Sequence, residues 1–188
     1  MDYDVLILGG GIIGCAVAYE LSKYNLNIAV IEKEYDIADD ISFVNTSIVY
    51  DGSETSNSVM AGLEYIGNIL LEDLCDKFDV PFKRIGGLRV VDDDNGVIKL
   101  EEMYDRAIRR GIDGVYLIDA KDVYDIEPNI NTNVKKGLYS QNVAIVAPYD
   151  LAIAYAEVAF DNGVNFRLEE EVLNIQNLKS DRELDDII

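Results

Sequence analysis

The chain has 188 residues, 36 of them acidic and 16 basic, for a formal net charge of −20. A surplus of that size repels phosphate backbones and anionic lipid, which argues against nucleic acid or an acidic membrane surface as a partner. At 49% hydrophobic residues the chain is globular, and without a histidine it has no imidazole to act as base or metal ligand.

Tyr3–Leu8 is a continuous apolar run, the pattern of a parallel strand covered on both faces. It is too short to span a membrane and lacks a basic leader, so nothing in it directs export and a cytoplasmic location is expected. Gly9 to Gly14 forms a turn, Ile12–Tyr24 a helix stopping near Asn25, and Asn27–Ile31 a second strand. The polar stretch from Glu34 to Gly52 has no periodicity and is long enough to suggest a functional loop.

A helix is predicted from Ser53 or Glu54, with Val59, Leu63, Ile66, Leu70, Leu74 and Phe78 forming one apolar stripe. Pro81 ends that pattern. Phe82–Arg84 and Leu88–Val91 read as strands around the turn Ile85-Gly86-Gly87. Further helices are predicted over Asn95–Arg110, Ala120–Ile126 and Asp150–Asp161. Val115–Ile118, Gly137–Tyr139, Ala144–Val146, Val164–Leu168 and Glu171–Ile175 read as strands. Cys15 and Cys75 are isolated thiols, with neither the spacing of a zinc site nor a disulfide framework, and no metal site is assigned. Asp92-Asp93-Asp94 lacks the alternating ligands of a calcium loop and reads as an acidic turn before a helix.

The first 33 residues carry the chemistry. In Gly9-Gly-Gly11-Ile-Ile-Gly14 the first glycine of the motif allows the tight turn, the second lets backbone approach a pyrophosphate, and the third lets helix pack on strand. The helix N-terminus then offers N–H groups and partial positive charge to phosphate. Glu32 ends the second strand, at the spacing expected of an acid that accepts hydrogen bonds from ribose hydroxyls. A carboxylate there would repel a 2′-phosphate, which disfavours NADP. NAD and FAD share this motif. An NAD dehydrogenase would continue its βαβ pattern promptly, whereas here about 130 residues precede the next candidate parallel strand.

At that point the sequence resembles the D-amino-acid-oxidase-like FAD superfamily, most closely the branch of FAD-dependent glycerol-3-phosphate dehydrogenases and L-2-hydroxyglutarate oxidases. The resemblance rests on Tyr3–Ala16, Val30–Lys33, Val80–Arg84, Glu127-Pro128-Asn129, Gly137-Leu138-Tyr139, Pro148-Tyr149 and Asp161–Val164. It implies an α/β fold with an FAD/NAD(P)-binding Rossmann-like βαβ core and an inserted mixed α+β substrate domain, truncated relative to the family. The expected division is residues 1–80 and 149–188 for the FAD-binding portion and 81–148 for part of the substrate domain.

The resemblance further implies FAD as cofactor, with Gly9, Gly11, Ile13, Gly14, Glu32 and Lys33 around its pyrophosphate and ribose. Ser42 matches a phosphate-contacting serine, Asn45 and Ser47 lie where the family runs beside the flavin, and Val172 matches a valine at the adenine. No catalytic residue is assigned. The sequence departs from the family pattern at three places: Asp40-Ile41 replaces Gly-Thr, Tyr50 a histidine, and Val143-Ala144 a Gly-Gly pair. The implied partner is a small anionic substrate, which Lys83, Arg84 and Arg89 could meet, although ordinary solvated strand faces account for those charges better. Two functional readings follow: a portion of an oxidoreductase acting on a hydroxyacid, polyol phosphate or amine, or a non-catalytic nucleotide-binding module.

Overall fold

The computed structural model describes residues 2–130 and 133–176. In chain order the elements are β1 (Val5–Leu8), α1 (Ile12–Leu21), β2 (Ile28–Ile31), β3 (Ile48–Val49), α2 (Ser58–Phe78), β4 (Phe82–Arg84), β5 (Gly87–Val91), α3 (Asp94–Arg109), β6 (Val115–Asp119), α4 (Ala120–Ile126), β7 (Lys136–Ser140), β8 (Ala144–Val146), α5 (Pro148–Asp161) and β9 (Asn165–Arg167). They divide into two compact units, one running through Ser42 and resuming at Tyr155, the other covering Phe43–Ala154. The expected boundary at residue 80 therefore falls inside the second unit, which holds the whole of α2.

Among the described residues the first unit is built on a three-stranded parallel sheet in the order β1-β2-β9. Val5 pairs with Ile28, and Ala29 pairs with Asn165. Ala18, Ile28, Val30, Ala159 and Val164 form its buried core, with Val5, Ile7, Leu21 and Phe166 packed against them. Small residues on α1 and α5 let both helices lie close on the sheet, and Tyr19 and Tyr155 meet with ring centroids 5.3 Å apart. α1 stops at Leu21, one turn earlier than its apolar pattern predicts. Ser22 Oγ donates to Tyr19 O at 2.8 Å, a local bond that competes with helical pairing.

The second unit has two antiparallel sheets, β3-β8-β4 and β5-β7-β6. The strands predicted on either side of Gly86 thus belong to different sheets and do not pair with each other. Ile85 N–H and Gly86 N–H both donate to Val143 O, which pins the crossing point. Gly86 sits at φ 72°, and a Cβ on Gly87 would stand 2.8 Å from Val143 Cγ2. The chain has room to change sheets there only without side chains.

α2 begins at Ser58, later than expected, because Asn57 caps it by accepting from Val59 N–H and Met60 N–H. Its predicted apolar stripe does not form the core face: Val59, Leu63, Ile66 and Leu70 are mostly exposed, while Ala61, Asn68 and Cys75 are buried. Leu100, Met103, Ala107, Ile112, Val115 and Leu138 form the core between α3 and the β5-β7-β6 sheet. In the acidic turn, Asp93 caps α3 through Gly96 N–H and Asp94 pairs with Lys135. Glu171–Ile175, predicted as a strand, has no regular structure, since no neighbouring strand among the described residues pairs with it. Met1, residues 131 and 132, and the expected unfolded end from Asn177 lie outside the described residues.

Candidate cofactor site

β1 delivers the chain to Gly9, whose φ of 105° suits glycine alone. Gly9 N–H donates to Ile31 O at 2.8 Å, tying the turn to the end of β2. Gly14 is dictated by space, because a Cβ there would stand 2.0 Å from Gly9 O. At Gly11 an added Cβ would meet only Ser42 Oγ, at 3.4 Å. Gly11 is therefore bare backbone bordering open space.

α1 starts after Gly11, which has no side chain to cap it. Ser42 fills that role from a distant loop: Ile12 N–H donates to its Oγ at 3.0 Å. Other N–H groups of the first turn have no intrahelical acceptor, and the helix end keeps its partial positive charge.

Glu32 closes the site from β2. Its Oε2 accepts from Gly10 N–H at 2.6 Å and its Oε1 from Glu34 N–H at 2.9 Å. Partial burial is the largest single influence and pushes its pKa upward. The N–H groups of Glu34, Gly10 and Lys33, with the Lys33 charge, outweigh it and hold the carboxyl below its ordinary value. Glu32 is thus an anion at neutral pH, and each oxygen keeps further acceptor capacity. Lys33 pairs with Glu34 at 3.1 Å.

Gly11, Glu32, Lys33, Glu34 and loop residues 38–42 line one groove of about 220 Å³. Backbone at a helix N-terminus suits an oxyanion, and a carboxylate beside it suits a diol. Together they suit a nucleotide. Asp40 lines the same groove and adds a negative charge to it.

Of the residues expected at the cofactor, Gly9, Gly11, Gly14, Glu32, Lys33 and Ser42 are brought together here. Ile13 lies in the first turn of α1 with its side chain 77% exposed. Val172 lies in the irregular stretch after β9, in the same unit. Asn45 and Ser47 lie in the second unit, where Asn45 Oδ1 accepts from Ser47 N–H at 2.8 Å. Ser47 O in turn accepts from Val146 N–H.

Four contributors were not among the expected residues. Gly10 supplies the N–H that anchors Glu32, and a Cβ there would press on Glu32 Cβ and Ile37 Cγ2 at 3.2 Å; the run of three glycines was its signal. Glu34 supplies the second N–H. Ala38 donates its N–H to Gly10 O at 3.0 Å from a left-handed conformation, φ 56°, which an alanine does not advertise. Cys15 Sγ also donates to Gly10 O, and burial with the Glu32 charge pushes its thiol up to about 11.

A sequence profile described as FAD dependent oxidoreductase matches residues 4–184. This chain belongs to the family of FAD-dependent oxidoreductases. Among curated relatives of this chain is a glycerol 3-phosphate dehydrogenase from Caloramator mitchellensis, 39% identical over 175 residues, a match covering 93% of this chain and 36% of that protein. A mitochondrial L-2-hydroxyglutarate dehydrogenase from Caenorhabditis briggsae is 37% identical over 147 residues, covering 77% of this chain and 33% of its own length. The L-α-glycerophosphate oxidase from Mycoplasma pneumoniae, solved with FAD bound, superposes with a TM-score of 0.85 at 28% identity, covering 93% of this chain and 47% of that one. The chain therefore spans less than half the length of the relatives it matches here. The expected Rossmann-like α/β core with an inserted α+β region is the fold observed, and FAD is the cofactor of the family.

The second unit contains a groove of about 320 Å³ lined in part by Tyr50, Ser53, Arg89, Ser140 and the Gly86-Gly87 crossing. Beneath it lies Asp51, 1% exposed. Its Oδ1 accepts from Ser53 N–H and Ser53 Oγ–H, and its Oδ2 from Ser140 Oγ–H and Asn142 Nδ2–H. Arg89 pairs with Glu54, and Arg84 is engaged by Glu72, Asn68 and Asn142 O. Among the described residues, no helix is long and apolar enough to cross a membrane.

Proposed function

We propose that this chain is the cofactor-holding portion of an FAD-dependent oxidoreductase that oxidises a small anionic hydroxyacid, a glycerol-3-phosphate-like polyol phosphate or an amine. The observation that carries this reading is Glu32. A carboxylate locked against the glycine turn by Gly10 N–H and Glu34 N–H stands at one end of a groove whose other wall is the start of α1. Gly11 and Ser42 would hold the pyrophosphate there, and Glu32 the ribose diol. Asn45, Ser47 and Val172 are assigned to the flavin and adenine ends by their match to the family pattern. When bound, FAD supplies the hydride acceptor. We assign residues 81–148 to part of the substrate domain, by their match to the family pattern. The acidic surface and the two reduced thiols support a cytoplasmic setting.

Asp40 favours a second reading, a nucleotide-binding module without turnover, because its carboxylate lines the groove intended for phosphates. One experiment separates the two. The purified protein is loaded with FAD and mixed anaerobically with glycerol 3-phosphate, L-2-hydroxyglutarate or glycine. Bleaching of the flavin band by any of them supports the oxidoreductase reading. A yellow protein that none of them bleaches supports the second, and a protein that stays colourless in excess FAD sinks both.

A further inference from the structure

We propose that the groove of the second unit holds a primary ammonium group on the hydroxyls of Ser53 and Ser140, and that the small molecule it takes is therefore an amine. This deepens the oxidoreductase reading, on which it rests only in taking that amine to be the substrate.

The buried carboxylate of Asp51 sets the chemistry of the groove. An ionised carboxylate accepts hydrogen bonds and donates none. Its Oδ1 accepts from Ser53 Oγ–H at 2.6 Å and its Oδ2 from Ser140 Oγ–H. A hydroxyl has one proton, so both protons are committed to Asp51 and what each oxygen has left is acceptor capacity. Ser140 Oγ also accepts from Asn142 N–H at 3.1 Å and keeps one lone pair. Ser53 Oγ has no other hydrogen bond among the described residues and keeps two. Both serines line the groove, yet they are only 2% and 5% exposed. They are acceptors that a ligand in the groove can reach and bulk water hardly can.

The charge balance points the same way. Asp51 is held by neutral donors alone, since its remaining partners are Ser53 N–H and the Asn142 side-chain amide. The charged side chains that line the groove are Arg89 and Glu54, and they cancel: Arg89 meets Glu54 through both Nε and NH2. Arg110, which reaches the same loop, gives its N–H groups to the carbonyls of Gly52, Thr55 and Ser56. One negative charge is left without a counter-ion, directly behind two acceptor oxygens.

An ammonium group brings a positive charge and three donors to such a place. A carboxylate or phosphate brings only acceptors and meets like charge. A neutral hydroxyl has one donor and no charge. The Tyr50 hydroxyl, which also lines the groove, can accept as well as donate. Of the three substrate classes named above, the groove therefore selects the amine over the hydroxyacid and the polyol phosphate.

The test titrates the purified flavin-free chain with ethanolamine, glycolate and glycerol 3-phosphate, followed by amide chemical shifts. Ethanolamine should bind at least ~10-fold tighter than either anion, with its shifts centred on Ser53, Ser140 and Asn142. Ser53→Ala should weaken ethanolamine ~10-fold. Asp51→Asn puts an N–H donor where an acceptor stood, so one serine must accept from it and turn its own proton to the groove. Preference should then move at least ~10-fold toward glycolate, whereas a residue that served packing alone would weaken all three ligands alike. Circular dichroism checks folding, and if Asp51→Asn unfolds, Ser53→Ala decides. No binding of ethanolamine, an anion bound as tightly, shifts away from Ser53 and Ser140, or an unmoved preference in folded Asp51→Asn would overturn the proposal. FAD uptake is scored separately: selectivity for ethanolamine in a chain that takes up no flavin would sink the oxidoreductase reading and leave this site standing, and flavin uptake without that selectivity would do the reverse.

Discussion

At the scale of single residues, the glycine turn makes the sharpest demands. Gly14→Ala would drive a methyl into Gly9 O, and overpacking of that kind costs about 1–3 kcal/mol. Its urea midpoint should fall, while Gly62→Ala on α2, where a Cβ meets nothing within 4 Å, should hold or gain stability. Glu32 sets the acid limit of the same turn. Its folded pKa lies below its unfolded value, so its stabilisation is complete above the unfolded pKa and is lost as pH falls through the folded one. Glu32→Gln should therefore flatten the loss of stability on acidification, as read from urea midpoints in a pH series, and an unchanged slope would contradict the bond to Gly10 N–H. Asp40 works in the opposite sense to the pyrophosphate. A like charge at about 4 Å costs about 1 kcal/mol in water, so Asp40→Gly should tighten FAD binding several-fold in a fluorescence titration. Cys15 is buried and its thiol is pushed up to about 11. It should resist alkylation by iodoacetamide at mildly alkaline pH until the protein unfolds.

At the scale of elements, the buried Asp51 cluster joins the loop after β3 to the β7–β8 turn. Asp51→Ala would strand the hydroxyls of Ser53 and Ser140, each left without its acceptor at a cost of about 1–3 kcal/mol. Asp51→Asn keeps one acceptor and should lose less than half as much, which thermal unfolding can compare directly. This cluster was invisible in the sequence, because Asp51 and Ser140 are joined only by the fold. Elements with strong local signals were legible: the glycine turn, the α4 span ended by Pro128, and α3 stopped near Gly111, which takes φ 70°. The pairing of β4 and β5 was not, since Ile85-Gly86-Gly87 reads as a hairpin turn and its true role depends on Val143. α2 shows the other limit. Its apolar periodicity established a helix but did not select the buried face, which Ala61, Asn68 and Cys75 take.

At the scale of the whole molecule, the long insertion after Glu32 was the feature that separated FAD from NAD. The structure places that insertion as a unit of two antiparallel sheets and three complete helices between β2 and β9. Its lower boundary, at Phe43, was not legible because no proline or glycine cluster marks it. The glycine turn and Glu32 were legible from their spacing, and Ser42 only from the family resemblance. The cofactor groove was not legible at Ala38 and Glu34, which act through backbone N–H groups that any residue type provides. We propose that this groove holds FAD through Glu32. An FAD titration of the unaltered chain and of Glu32→Gln, followed by flavin fluorescence, tests it most directly. Binding should be saturable at one site in the unaltered chain and at least ~10-fold weaker in the variant, as expected when a charged hydrogen-bond acceptor is lost. Equal affinity in the two proteins, or no binding by either, would contradict it.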